Sequence, residues 1–246
     1  MAKVVASIEA RMGSSRLPGK VLKDIAGRPA LTRLLSRLRL CDTLDDVVVA
    51  TSTSPADDAV EIWAKAEGVA CYRGSEDDVL QRVAEAHQKM NSDIVVEITG
   101  DCILTDPEVV DIGVTTFLSN EVDYVSNVVR PAYPTGICVQ VFATNQLLDV
   151  ANRIHDTAVR EHVSLYFYEH PEIYKIIHLF PPRRWWAPEL RLCLDYPEDL
   201  ELNRAIYERL QPQYGDAFGI DEIIRLLRTY PELQRINQHC QEKLVR

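Results

Sequence analysis

The 246-residue chain is 46% hydrophobic and 26% charged, a composition that excludes collagen-like, coiled-coil and disordered classes and allows an ample core in one large domain. Acidic residues outnumber basic ones 37 to 27, and the resulting net charge of −10 argues against duplex DNA or bulk RNA as a partner. No stretch approaches the roughly 18 apolar residues of a membrane helix, no cleavable signal opens the chain, and the six cysteines are scattered without a CxxC pair. That cysteine pattern argues against zinc and against a disulfide framework, so a cytoplasmic location is expected.

In chain order, Lys3–Ile8 is an apolar, β-rich run that ends in a polar loop. Pro29 then opens a helix with Leu31, Leu34, Leu35 and Leu38 on one face. Asp46–Thr51 and Val69–Tyr72 read as buried strands, Asp78–Met90 as a helix and Asp93–Thr99 as a fourth strand. Asp106 is an N-cap and Pro107 the first residue of a helix running through Val109–Phe117. Short apolar strands alternating with helices predict a parallel α/β sheet covered on both faces. Beyond about residue 120 the pattern changes. Asp123–Val129, Ile137–Phe142 and Tyr174–Phe180 read as strands, with a helix near Thr157–His170. This predicts a small strand-rich insertion over about 123–180 with antiparallel pairing. Arg191–Leu194 reads as a returning strand, Pro197–Leu210 as a helix, and Ile220, Ile223, Ile224 and Leu227 mark a last amphipathic helix. Pro181–Pro188 is loop-like, and its Trp185–Trp186 pair is read as packing or interface.

The first loop carries the strongest chemical signal. Between Glu9 and Asp24 there is no acidic residue, while Arg11, Arg16, Lys20 and Lys23 are interspersed with Gly13, Ser14, Ser15 and Gly19. Gly and Ser let a backbone curl its N–H groups toward an anion, Arg offers planar donors and Lys a mobile point charge. Four cations without a local counter-charge point to a phosphate site rather than a solvated turn. A second signal is a pair of aspartates, Asp101 and Asp195, each following a predicted strand. Two carboxylates without His or Cys suit Mg²⁺, which draws its other ligands from phosphate and water; the plainer reading of each is a helix cap.

RMGSSRLPGKVL at 11–22 resembles the N-terminal signature of cytidylyltransferases related to CMP-Kdo synthetase, and most closely the spore-coat polysaccharide biosynthesis type. The similarity continues through VVVATSTSPADD at 47–58, RGSEDDVLQR at 73–82, TGDCILTDPEVVD at 99–111, REHVSLYFYEHPE at 160–172 and RLCLDYPEDLEL at 191–202. The resemblance implies a Rossmann-like, GT-A-like nucleotidyltransferase fold, a three-layer sandwich formed by one domain over 1–246. It implies transfer of CMP from CTP to a small-molecule acceptor (a sugar acid, sugar phosphate or relative) in surface glycan biosynthesis, with Mg²⁺ as cofactor. It also implies a homodimer built through the insertion. Carried onto this chain, Arg11, Ser14, Arg16 and Lys20 would hold the triphosphate, with Arg16, Lys20 and Asp101 catalytic. Ala6, Ser7 and Arg73–Gly74–Ser75 would lie near base and ribose, and Asp101 and Asp195 would hold the metal. Departures lie at Glu9, in place of a Gln, at Ile103, in place of a turn-setting Pro, and at Cys138 and Gln140, where many relatives carry acidic residues. Cys138 and Gln140, two apart on a predicted strand, are expected to face one side, either toward the acceptor, making it tolerate more negative charge, or into the subdomain core; His162 is a further acceptor candidate. A non-catalytic module on the same fold, or a nucleotide-sugar glycosyltransferase, is the alternative reading.

Overall fold

A computed structural model describes residues 2–242. Its strands are β1 (Val4–Glu9), a short ribbon of β2 (Asp24–Ile25) and β3 (Arg28–Pro29), β4 (Asp46–Ser52), β5 (Ala70–Gly74), β6 (Ile94–Thr99), β7 (Tyr124–Ser126), β8 (Gln140–Ala143) and β9 (Ile176–His178). The helices are α1 (Ala30–Leu38), α2 (Asp58–Glu67), α3 (Val79–Met90), α4 (Pro107–Leu118), α5 (Thr144–Arg153), α6 (Thr157–Glu161), α7 (Leu165–Glu169), α8 (Pro197–Tyr214), α9 (Ile220–Thr229) and α10 (Pro231–Gln234). Seven strands form one sheet in the order β5-β4-β1-β6-β8-β7-β9. β5, β4, β1 and β6 are parallel, β8 runs antiparallel to both its neighbours, and β9 is parallel to β7.

The two faces of the sheet carry separate apolar layers. Val4, Ala6 and Ile8 of β1 pack with α1, α2, α4, α8 and α9, whereas Val5 packs with α3, α5, α6 and α7. The predicted three-layer α/β architecture is therefore the one found. Its chain leaves β1 toward β4 and β5, then crosses back to β6 on the other side, so the carboxyl ends of β1 and β6 form the point where the winding reverses. Crevices of that kind are where open α/β sheets bind ligands.

Local chemistry explains the boundaries. Asp106 accepts from Glu108 N (2.9 Å) and Val109 N (3.2 Å), capping α4 as predicted, and its other oxygen accepts from Ile220 N (2.6 Å) at the start of α9. Beside the leucine face of α1, Arg33 and Arg37 are also fully buried. Their guanidinium groups donate to the carbonyls of Ile25, Ala26, Thr105 and Asp216, so buried charge here joins loops that leucine periodicity cannot join.

Residues 123–180 keep the expected antiparallel pairing at β8 but not throughout. Their strands shorten to β7, β8 and β9 and extend the main sheet, and β7–β9 pairing is parallel. The helix expected over Thr157–His170 breaks into α6 and α7 around His162–Ser164. Arg191–Leu194 is not a sheet strand: it is an extended segment held by a bridge between Thr135 and Arg191. Gly136 brings the two segments close. Its φ is +97°, and a Cβ there would lie 2.5 Å from Cys193 N and 2.8 Å from Leu192 C.

Two predictions follow from this packing. Gly136→Ala meets both a left-handed backbone and a backbone clash, so we expect a loss of about 3 kcal/mol or more in denaturant unfolding; a change below about 1 kcal/mol would contradict the tight approach. His87 is fully buried, its Nδ1 2.9 Å from Ser92 Oγ, and burial pulls its pKa down to about 3. The folded state thus holds it neutral, while the unfolded chain protonates it near pH 6.5, so its contribution is complete above 6.5 and lost as pH falls toward 3. The wild type should lose stability relative to His87→Gln by up to about 1.4 kcal/mol per pH unit in that window. Parallel stability curves from pH 7 to 4 would contradict this.

Candidate active site

The loop after β1 folds back on one carbonyl. Ser14 N (2.9 Å) and Gly19 N (3.0 Å) both donate to Met12 O, and Gly19 sits at φ +66°. Ser14 Oγ accepts from Leu17 N (3.3 Å). The start of the loop is anchored by Asp57, which accepts from Met12 N (2.6 Å) and from the Ser52 hydroxyl. The curl swings Arg16 and Lys20 over the carboxyl edge of the sheet.

There they meet the two aspartates. Lys20 Nζ lies 2.7 Å from Asp101 Oδ2 and 2.7 Å from Asp195 Oδ1. Arg16 Nη2 lies 2.9 Å from the same Asp195 oxygen, and its guanidinium stacks 4.9 Å above the Tyr196 ring. Burial opposes the Lys20 charge, but Asp101 and Asp195 outweigh it and hold its pKa above the ordinary lysine value. Burial likewise opposes the Asp195 carboxylate, yet Lys20, Arg16 and Arg191 hold it below the usual carboxylate range. The sequence argument that the loop cations lack counter-charges is thus corrected: two of them find carboxylates 81 to 179 residues away.

Asp101 and Asp195 come together without Asp195 ending a strand. Leu194 N donates to Asp101 O (2.9 Å), and Thr99 Oγ1 donates to Asp101 Oδ1 (2.6 Å). Asp199, fully buried in the first turn of α8, is the hub behind Asp195. It accepts from Asp195 N (2.9 Å), Tyr196 N (3.0 Å), Arg191 Nε and Nη2 (both 3.0 Å) and Asn237 Nδ2 (2.7 Å). Arg191 also reaches Asp195 Oδ2 (3.1 Å). Asp57, Asp199 and Arg191 escaped the sequence reading, although the YPED turn offered a signal for Asp199.

The other sequence candidates fall in different places. Arg11 is exposed, and its charge adds to the burial that lowers the pKa of Arg82. Ala6 and Ser7 lie inside β1 with no exposed surface, so the cleft does not reach them in this arrangement. Arg73 is committed to Asp58 and Glu61 (2.7 Å each) and to the carbonyls of Ser52 and Ser54. Gly74 is buried, while Ser75 is exposed and its Oγ accepts from Asp78 N (3.1 Å). Trp185 is buried and donates to Asp221 (2.7 Å), the packing role expected of it.

Cys138 and Gln140 do not share a strand face. β8 begins only at Gln140, and Cys138, in the irregular segment before it, sets its thiol against that of Cys102. Gln140 is buried, its Oε1 accepting from Tyr124 OH and from Ser164 Oγ (2.6 Å). Half-buried His162 stands two residues before Ser164. The sheet register places Ser7, Glu97, Gln140 and Ser126 side by side across β1, β6, β8 and β7. Glu97 is only 4% exposed, and Ser7 Oγ and Glu97 Oε2 find no protein partner. Burial raises the Glu97 carboxyl to about 7, against hydrogen bonds from Ser164 and Gln140. Glu9 is pushed well up by burial and by Glu97, with Arg82 opposing. Burial thus drives the Glu97 and Glu9 carboxyls toward their neutral, protonated forms.

The cluster fits a hard divalent cation. Two carboxylate oxygens already converge on one ammonium, and the donor set at Asp101 and Asp195 is all oxygen.

Comparison with known proteins agrees with the geometry. The sequence profile described as cytidylyltransferase matches residues 5–238. The chain is 33% identical over 230 residues to the spore coat polysaccharide biosynthesis protein SpsF of Bacillus subtilis, covering 92% of this chain and 94% of that protein. Its fold is similar to a cytidylyltransferase structure from Leptospira borgpetersenii (TM-score 0.90, 29% identity, 99% of this chain and 100% of that one). It is also similar in fold to a CMP:2-keto-3-deoxy-manno-octonic acid synthetase complexed with CTP (TM-score 0.64, 19% identity, 85% and 99%). With the profile spanning nearly the whole chain and a glycine-turned basic loop meeting two aspartates at the sheet's carboxyl edge, this protein belongs to the cytidylyltransferase family of nucleotidyltransferase enzymes.

Proposed function

We propose that the enzyme transfers CMP from CTP to a sugar acid, sugar phosphate or related acceptor of surface glycan biosynthesis, with Mg²⁺ held by Asp101 and Asp195. The observation that carries this reading is the meeting of Lys20 and Arg16 with both aspartates at 2.7–2.9 Å. An acceptor oxygen attacks the α-phosphorus in line, the bond to the bridging oxygen breaks, and pyrophosphate leaves. Such transfers ask chiefly for positioning and charge neutralisation. Lys20 and Arg16 supply positive charge to the triphosphate, and the metal, when bound, adds neutralisation of the phosphate oxygens. Asp199 and Arg191 keep Asp195 in place.

Among the described residues no helix is long and apolar enough to cross a membrane, and we infer a cytoplasmic enzyme that draws on CTP there. We also infer a homodimer. Exposed Ile173, Phe180 and Trp186 support it, the last two stacked with ring centroids 6.3 Å apart. A monomer mass in light scattering at micromolar concentration would contradict that assembly.

The test of function is pyrophosphate release from CTP and Mg²⁺ over a panel of sugar acids, sugar phosphates and polyols. One acceptor class should give turnover, and Asp101→Asn or Asp195→Asn should lower it about 10²–10³-fold, as should chelation of the metal. Full activity in EDTA, or in either variant, would contradict the assignment.

A further inference from the structure

Outside the catalytic cleft, the start of α8 and the chain after α10 bring three metal-ligating side chains of different chemistry together. Glu198, His239 and Cys240 each place one donor atom so that all three lie within 4.8 Å of one another. Glu198 Oε1 and His239 Nε2 are 3.5 Å apart. Bonds of about 2.0–2.3 Å around a tetrahedral zinc ion set its ligands about 3.3–3.8 Å from each other, so this spacing is already that of two ligands on one ion.

Both sides of the triad are fixed by contacts that do not involve the donors. Glu198 lies in the first turn of α8, one residue before the buried Asp199. The opposing segment is tied down by Asn237, whose Nδ2 donates to Asp199 Oδ1 (2.7 Å) and to Arg191 O (3.0 Å). Cys240 N closes a turn onto Asn237 O (2.9 Å), and Tyr196 OH donates to Gln241 O (3.2 Å). The donors are thus presented by anchored backbone on each side, which lowers the ordering cost of binding an ion. His239 is 63% exposed at its side chain and Glu198 39%, leaving an entry path and a face open to water.

We propose that Glu198, His239 and Cys240 form a binding site for a zinc-class divalent ion, with water as the remaining ligand, clasping the segment after α10 to the first turn of α8. The mixed N, S and O donors select zinc or cobalt over magnesium, whose preference is for oxygen alone. The absence of a CxxC pair argued against zinc because that pattern concerns ligands close in sequence; here folding joins Glu198 to a His–Cys dipeptide about 40 residues on. This site is independent of the reading of the catalytic cleft.

The test is titration of the full-length, chelator-treated protein with Co²⁺ in excess Mg²⁺, followed by competition with Zn²⁺. One equivalent of Co²⁺ should give a thiolate-to-cobalt charge-transfer band that Zn²⁺ removes. Cys240→Ser should abolish the band, and the surface change His239→Ala should weaken Zn²⁺ binding at least about 100-fold, with metal-free melting curves unchanged. No charge-transfer band, or a band and Zn²⁺ affinity that survive in both variants, would overturn the proposal.

Discussion

Two carboxylates drawn from distant parts of the chain are held together at the edge of a sheet, and only positive charge makes that arrangement tolerable. Asp101 and Asp195 would repel each other in a partly buried setting without Lys20 between them and Arg16 and Arg191 at their flanks. The rest of the site follows from that requirement. The glycine-rich curl exists where it does because Lys20 and Arg16 must come back over the edge of β1. In a family whose substrate carries a triphosphate, the same balance of charge is what a nucleotide with its metal would enter.

Asp195 reaches this point through a backbone arrangement rather than through the sheet. The 191–195 segment is extended but is supported by one bridge to Thr135, a glycine against its backbone and a hydrogen bond from Leu194 to Asp101. Asp199 completes the support by collecting five donors from Arg191, Asp195, Tyr196 and Asn237. The Asp195 carboxylate is therefore positioned by a second, buried carboxylate, Asp199, whose own charge is satisfied by Arg191.

Most strands and helices of the first 120 residues were legible from their apolar spacing and from the Asp106–Pro107 helix start, but α2 went unread, since it buries only Val60, Trp63 and Ala64. The second half was less so. β7 and β9 were found but read too long, since apolar runs extend past their three paired residues, and RLCL looks like a strand because every second residue is apolar, although it pairs through one bridge only. The basic loop stood out because composition alone set it apart from an acidic chain. Its carboxylate partners were not, since ion pairs across 81 to 179 residues leave no local trace. Glu97 hid for a different reason. A glutamate in the middle of DIVVEIT reads as the solvent face of a strand, and only the register opposite Ser7 and Gln140 shows it to be buried.

The account's central claim is that the basic loop and the aspartate pair are one triphosphate site. Calorimetric titration of CTP with Mg²⁺ into the wild type and Arg16→Ala tests it most directly, since Arg16 lies on the surface side of the cluster and its loss leaves Lys20 to bridge the aspartates. The account predicts a fall in CTP affinity of about tenfold or more with an unchanged melting temperature. An unaltered CTP affinity in a folded variant would contradict it.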